Sequence, residues 1–244
     1  MAISDVRPSP IAGTWYPGDA RRLAQSIADY LAAASLPELP GQVLGIITPH
    51  AGHRYSGHTA GHAFKAVQGA DWERVVVLSP FHGYTNAALL TSAHRAYATP
   101  LGEIPVDGEA LAELGVALQQ AGGPHLTPAA YDPEHSLEIE LPFLQIALQK
   151  PFSLVPLMVR ERNPGQLQKL GQALARMLES RPALIVASTD LSHYHSSAQA
   201  RVLDMRVVGR IERLDPEGLS EDLRSGACEA CGGGPVITVL LAGK

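Results

Sequence analysis

Three apolar runs in this chain each end at a histidine, and this repetition constrains the fold more than any other feature. The runs cover residues 45–50, 74–82 and 183–193, and they end at His50, His82 and His193. In an open α/β sheet, a buried strand that delivers a polar side chain at its carboxyl end is the usual way to build a site. The sequence therefore predicts one polar pocket lined by the three imidazoles.

The order of the remaining segments favours the same architecture. Residues 153–159 form a further apolar run, and the residues around the runs show apolar side chains at helical spacing, as in Leu167, Leu170, Leu174 and Met177. Alternating strands and helices are typical of an α/β fold with a mostly parallel central sheet flanked by helices. We interpret residues 98–107, which contain two prolines and a glycine, as a connection. A chain of 244 residues is compatible with a single domain over residues 1–244.

Composition excludes two classes of partner. The net charge is -5 and none of the 19 basic residues lies in a run, so we expect no nucleic-acid surface. No apolar stretch reaches the ~18 residues that a membrane span needs, so we expect no membrane segment. The N-terminal residues lack the apolar core of a signal peptide, and Cys228 and Cys231 are the only cysteines. These features predict a cytoplasmic protein whose thiols are reduced.

Two imidazoles and one anionic ligand can hold a divalent metal and leave positions open for substrate or dioxygen. His50 and His82 are the natural first choices. For the third ligand the sequence offers Asp190, Cys231 and Glu134. Cys231 precedes a Gly-Gly-Gly-Pro segment that would open a helix, and a thiol near a helix N-terminus is shifted toward the metal-binding thiolate.

Several other polar residues have two interpretations. His58 and His62 have the spacing of a zinc-protease helix, but Thr59 replaces the catalytic glutamate, so they are better explained as helix-face residues. Glu134, His135 and Glu138 lie where a helix begins. They either cap this helix or form hydrogen bonds that orient a metal-binding histidine. Trp15 either covers the edge of the core or forms a wall of the pocket.

The Cys228-x-x-Cys231 pair is the last of these ambiguous features. It matches a redox or zinc pair, but the chain has no second cysteine pair for a structural zinc. Cys228 is also explained by a structural role, as a small side chain buried in the core.

A family resemblance is carried by motifs that occur in order along the chain. They are AGTWY at 12–16, PHAG at 49–52, SPFH at 79–82, EHSLE at 134–138, LPF at 141–143, STDLSH at 188–193, and Cys231-Gly232 with Pro235. Together they closely resemble the Memo family (mediator of cell motility), called AmmeMemoRadiSam system protein B in prokaryotes. The resemblance implies a fold similar to the class III extradiol, non-haem iron dioxygenases.

The resemblance also implies roles for particular residues. It implies metal ligands at His50, His82 and Cys231, with His193 in the place of an acid/base histidine and Asp190 beside it. Family chains usually continue past the helix that follows Cys231 into further strands, whereas this sequence ends at Lys244, so we expect either a truncated sequence or a sheet that lacks those strands. Cys228 is not part of the family motif.

Three functional hypotheses follow from the resemblance. The first is an oxidoreductase that uses iron(II) or copper, with His193 and Asp190 as its catalytic residues; a thiolate ligand favours softer metals than the carboxylate of the dioxygenases. The second is a non-catalytic protein that binds a peptide or partner in the same cleft. The third, which follows from the prokaryotic family name, is association with a radical S-adenosylmethionine protein and an Ammecr-type protein.

Overall fold

The computed structural model describes residues 5–244. Its strands are β1 (Val6–Arg7), β2 (Gly45–Thr48), β3 (Arg74–Pro80), β4 (Leu89–Ser92), β5 (Ala96–Thr99), β6 (Gly102–Pro105), β7 (Leu126–Ala129), β8 (Ser153–Val159) and β9 (Leu184–Ser188). Its helices are α1 (Ala20–Ala33), α2 (His53–Lys65), α3 (Gly108–Ala121), α4 (His135–Glu138), α5 (Glu140–Ala147), α6 (Pro164–Ser180), α7 (Ser197–Glu212), α8 (Pro216–Ser225) and α9 (Gly233–Ala242).

The larger sheet has the strand order β2-β9-β3-β8-β4-β7. Strands β2, β9, β3 and β8 are parallel neighbours, whereas β4 pairs antiparallel with β8 and parallel with β7. The prediction of an α/β fold with a mostly parallel sheet is confirmed, and this is the architecture that the family resemblance implies.

Alternate side chains of the central strand β3 enter two separate cores. Val75 and Val77 belong to one hydrophobic cluster, and Val76 and Leu78 belong to the other. Side chains of α1, α2 and α5 cover the first face, and side chains of α3, α6, α8 and α9 cover the second. Because both faces of β3 are buried, neither face needs polar side chains, and the strand has a continuous apolar sequence instead of alternating apolar and polar residues.

A second, three-stranded sheet was not predicted. Its order is β1-β5-β6, and β5 and β6 form an antiparallel hairpin over residues 96–105, which overlaps the stretch 98–107 that we interpreted as a connection. Gly102 lies in the hairpin with φ 125°, a backbone conformation that residues with a side chain rarely adopt. The strands are only four residues long, so the prolines and glycine dominate the sequence pattern.

Helix α2 begins at His53, directly after the Gly52 N-cap, and it carries both His58 and His62. A Cβ atom at Gly57 would lie 2.5 Å from the Tyr30 ring, so glycine permits α1 and α2 to pack closely there. His58 and His62 lie on the exposed face, as expected, and His62 Nδ1 is 2.9 Å from the His58 carbonyl oxygen. Among the helices of residues 5–244, none has the length and apolar character needed to cross a membrane.

Candidate metal centre

The site lies at the carboxyl edge of the larger sheet. His50 follows β2, His82 follows β3, and Asp190 and His193 follow β9. Since these three strands are parallel neighbours, their carboxyl ends meet at one edge. Cys231 approaches the same edge from the turn before α9.

Two backbone contacts hold Cys231 against the end of β9. Its N–H donates to the Asp190 carbonyl oxygen at 3.2 Å, and the Asp190 N–H donates to the Cys231 Sγ at 3.2 Å. Gly232 is required next to it, because a Cβ atom there would lie 2.2 Å from the Ser188 carbonyl oxygen. The glycine run therefore lets the start of α9 come close enough to place the thiol in the site.

The structure brings His50, His82 and Cys231 together. The Cys231 Sγ lies 3.0 Å from the His50 Nε2, and the His50 and His82 rings are 5.5 Å apart between centroids. A third imidazole, His135, joins them: ligand atoms of His50, His82 and His135 all lie within 4.8 Å of one another. Such a cluster could bind a metal ion.

His135 is the site residue that the sequence reasoning missed as a possible ligand. Its ring stacks on His82 at 4.8 Å and lies 4.1 Å from the Trp15 ring. Burial lowers the pKa of His135 to about 4, despite the nearby Glu134 carboxylate. His135 is therefore a neutral imidazole at pH 7. The Glu134-His135 pair at a helix start was the available signal, but we considered it for capping and support alone.

These side chains line a cavity of about 450 Å³. Trp15 and Tyr55 form part of its wall, and Trp15 also packs against the first hydrophobic cluster, so both interpretations of Trp15 hold. The neighbouring Tyr16 is instead buried, and its hydroxyl donates to Glu138 at 2.7 Å.

Glu134 performs both of the roles that the sequence left open. Its carboxylate accepts from the Ser136 N–H at 2.9 Å and so caps α4. It also accepts from the His82 Nδ1 at 2.9 Å and from the His82 backbone N–H at 2.5 Å. Although burial opposes ionisation, the hydrogen bonds from His82 and Ser136 lower the pKa of Glu134 to about 2. A carboxylate behind a ligand imidazole fixes the ring and increases its basicity.

His50 is held from behind by Ser188. The single hydroxyl hydrogen of Ser188 is donated to the Ser136 carbonyl oxygen at 2.6 Å, so its oxygen accepts from the His50 Nδ1 at 2.8 Å. Nε2 of His50 consequently faces the site. The Ser136 hydroxyl also donates to Glu134. One buried network of hydrogen bonds therefore connects the Nδ1 atoms of His50 and His82.

The thiol of Cys231 is acidic. Burial alone would raise its pKa, but hydrogen bonds with His50 and His82 lower it to about 6. In turn, hydrogen bonds with Cys231 and Glu134 raise the pKa of His82 to about 10. Without metal at pH 7, the pair is therefore a thiolate beside an imidazolium, and a metal cation would replace the imidazolium proton.

Asp190 and His193 lie on the open side of the site. The Asp190 Oδ1 accepts from the His50 backbone N–H at 2.9 Å, and its Oδ2 lies 3.8 Å from the His193 Nε2. The His193 side chain lines the cavity and is 49% exposed, so it is accessible to a ligand. This is the position of a group that could exchange a proton with a bound molecule.

The two cysteines occupy different environments. Cys228 is 1% exposed within the second hydrophobic cluster, and burial raises its pKa. Cys231 is exposed, and both thiols are free. This placement agrees with the interpretation of Cys228 as a packing residue.

The donors present suit a transition metal. Imidazole nitrogen and thiolate sulfur bind zinc, iron and copper well, whereas magnesium and calcium prefer oxygen. The buried supports behind His50 and His82 direct an Nε2 atom of each ring into the site, where Cys231 supplies a negative charge. The residues therefore fit a metal ion of the soft or borderline class.

Comparison with known proteins gives a consistent result. A family model described as Memo-like protein matches residues 7–244. A MEMO1 family protein of Methanopyrus kandleri is 32% identical, with 98% of this chain and 87% of the relative covered. Similar proteins from Ignicoccus hospitalis and Aquifex aeolicus are 34% and 33% identical; the matches cover 98% and 88% of this chain, and 87% and 77% of those relatives.

Proposed function

Since the chain belongs to the Memo-like protein family, we propose that its function depends on a metal ion held by His50, His82 and Cys231. One observation carries this proposal. The acidic Cys231 thiol lies 3.0 Å from the Nε2 of an imidazole whose Nδ1 is already bonded to Ser188. Both residues line the first cavity, where a cation could bind the sulfur and the nitrogen together.

We further propose that the protein is an oxidoreductase. Iron(II) is the first choice of metal and copper the second, and either would supply one-electron redox chemistry at the open side of the site. The neutral His135 offers an additional nitrogen donor that the sequence did not reveal. The mixed nitrogen and sulfur set favours a redox metal over magnesium or calcium.

His193 would be the proton-transferring group. Its Nε2 would accept a proton from a ligand hydroxyl in the cavity or return one to it, and Asp190 would stabilise the charged ring from 3.8 Å. The rings of Trp15 and Tyr55 would contact the apolar side of the ligand and restrict the access of water to the site. Asp190 also bonds the His50 backbone, so it would set the spacing between the metal and the proton-transferring group.

Metal analysis of protein purified without oxygen tests the centre. We expect about one iron or copper per chain in the wild type and a loss of metal in His50→Ala and Cys231→Ser. Oxygen-uptake assays with catechols and related phenols then test turnover. Wild-type protein without bound metal under these conditions would contradict the metal centre.

A second candidate function is a non-catalytic protein that binds a peptide in this cleft. The side chains of Tyr55 and Tyr194 are 83% and 105% exposed, and Tyr194, next to His193, adopts φ 62°. Exposed aromatic side chains are common in recognition surfaces. Stoichiometric metal without oxygen uptake by any substrate would favour this function.

Two further expectations remain proposals. Association with a radical S-adenosylmethionine protein and an Ammecr-type protein follows from the family name in prokaryotes. A reducing cytoplasm suits the protein, because oxidation of the Cys231 thiolate would remove a metal ligand.

A further inference from the structure

A second groove opens from the same site and is larger than the first cavity, at about 990 Å³. It shares His82, His193 and Cys231 with the first cavity, so a molecule at the metal could extend into it. Its apolar lining includes Phe81, Leu167, Leu191, Leu223 and Ile237. The groove is thus suited to a ligand with an apolar body.

Two arginines lie on the wall of this groove that follows the end of β8. Pro80 of β3 pairs with Val159 of β8, so Arg160 follows the neighbouring strand at the level of Phe81. Adjacent strands are about 4.8 Å apart, and an arginine side chain easily covers that separation. Both Arg160 and Arg162 line the groove.

The charged groups around the groove leave these two arginines without an ionic partner. Arg224 is paired with Glu221 at 2.6 Å, and Glu229 contacts His195 at 3.0 Å. Within residues 5–244, neither Arg160 nor Arg162 forms a salt bridge. The Arg160 guanidinium donates to the Thr85 carbonyl oxygen, and the Arg160 backbone N–H donates to the Ala88 carbonyl oxygen at 2.8 Å.

Glu161 lines the groove between the two arginines and carries the opposite charge. Its carboxylate is turned toward the backbone, where it accepts from the N–H groups of Arg162 at 2.9 Å and Asn163 at 2.8 Å. Both bonds go to Oε1, and within residues 5–244 Glu161 forms no salt bridge with either arginine, so both guanidinium groups can interact with a ligand anion.

We propose that this groove binds a small organic acid whose carboxylate contacts Arg160 and Arg162 while its other end reaches the metal site. The inference rests on the proposed function and adds the class of substrate to it. Guanidinium groups match the planar, two-oxygen geometry of a carboxylate. The apolar walls between the two ends accommodate a carbon chain, and volumes of this size suit small molecules.

The test uses a pair of probes that differ only in charge. Octanedioic acid monohydroxamate carries a metal-binding hydroxamate at one end and a carboxylate at the other, and its matched analogue carries a neutral primary amide in place of the carboxylate. We expect the cobalt(II)-loaded protein to bind the carboxylate probe about five- to tenfold more tightly, and salt to reduce the difference. Equal affinities would overturn the proposal.

Two variants locate the effect. The double variant Arg160→Gln/Arg162→Gln should lose the preference while its affinity for the amide probe stays unchanged. Arg224→Gln, which removes an arginine of the same groove that is already paired, should keep it. If the double variant kept the preference, the assignment of the carboxylate to these arginines would be wrong.

A second measurement separates this inference from the metal centre. Metal-free protein is titrated with octanoate and with octanamide, and octanoate should bind more tightly through the same two arginines. If cobalt(II) failed to bind but octanoate were preferred, the metal centre alone would be contradicted. If cobalt(II) bound with no preference in either experiment, the groove alone would be contradicted.

Discussion

Glu134 binds His82 through both oxygens of its carboxylate, one at 2.9 Å from the ring Nδ1 and the other at 2.5 Å from the backbone nitrogen. The carboxylate therefore fixes the ring and the loop that carries it. It is 2% exposed, so water cannot replace it easily.

The first prediction concerns this support. Glu134→Ala should weaken metal binding by about 10- to 100-fold, because the freed His82 ring loses its fixed orientation and part of its basicity. Metal affinity would be measured by competition with a chelator of known affinity. Glu103→Gln, which changes an exposed carboxylate on β6, serves as the control. An unchanged affinity in Glu134→Ala would show that His82 needs no support.

The second prediction concerns the two thiols. With a pKa near 6, Cys231 is a thiolate at pH 7.5 and should react rapidly with iodoacetamide in the metal-free protein. The rate should fall as the pH is lowered through about 6, and bound metal should protect the thiol. Cys228 is buried and should stay unmodified. Mass spectrometry of the peptides decides, and modification of Cys228 before Cys231 would contradict the assignment.

The third prediction separates metal binding from proton transfer. His193→Ala should retain metal within about twofold of the wild type, because His193 lies on the open side of the site, where its Nε2 is 3.8 Å from the Asp190 carboxylate. His50→Ala should lose the metal. Any oxygen-consuming turnover should fall about 100-fold or more in His193→Ala. Equal loss of metal in both variants would make His193 a ligand.

The fourth prediction concerns Arg7, which lies beneath the segment that carries Glu134 and His135. Its guanidinium binds Asp132 at 3.0 Å and Glu138 at 2.6 Å, and all three side chains are almost completely buried. Arg7→Leu leaves two buried carboxylates unpaired and should destabilise the protein by about 3–5 kcal/mol.

The chain offers a matched control for this change. Arg95 pairs with Asp5 at 3.8 Å on the surface, with both side chains at least 80% exposed. Arg95→Leu should change stability by less than about 0.5 kcal/mol. Urea unfolding measures both variants, and similar losses in the two would contradict the importance of burial.

The fifth prediction is a pH dependence of stability. Burial lowers the pKa of His53 to about 4, below its ordinary value of 6.5. Between these values the unfolded chain binds more protons than the folded one, so stability should be complete above pH 6.5 and should fall as the pH approaches 4. The contribution is on the order of 3 kcal/mol.

His53→Phe provides the test, because His53 packs among the rings of Tyr16, Tyr30 and Phe143 and its Nδ1 has no partner within residues 5–244. This variant should show a flatter stability profile between pH 4 and 6.5. The exposed His62→Gln should follow the wild-type curve. If His53→Phe followed the wild type as well, acid loss of stability would come from other groups.

The larger sheet and much of the site were predictable because they depend on local patterns. An apolar run identifies a buried strand, and the residue after it necessarily lies at the carboxyl edge, which placed His50, His82 and His193 on the same side. The thiol was expected near a helix start, and Cys231 is there.

Other parts depend on contacts between distant residues, which no local pattern reveals. The contact of Arg7 with Asp132 spans 125 residues, and that of Ser188 with Ser136 spans 52. His135 was missed for the same reason, since a histidine at a helix start has no intrinsic direction in the fold. The hairpin of β5 and β6 was missed because its strands are too short to show an alternating pattern of apolar and polar residues beside the prolines and the glycine.

The distance of 3.0 Å between His50 and Cys231 joins residues that are 181 positions apart. During synthesis the ribosome must therefore release more than 230 residues before the thiolate can meet the imidazoles. Closing so long a loop is slow compared with the pairing of neighbouring elements. The nascent chain should accordingly form its strands and most helices before the proposed metal site is complete, so a cell that is short of metal would accumulate a folded protein without metal rather than an unfolded one.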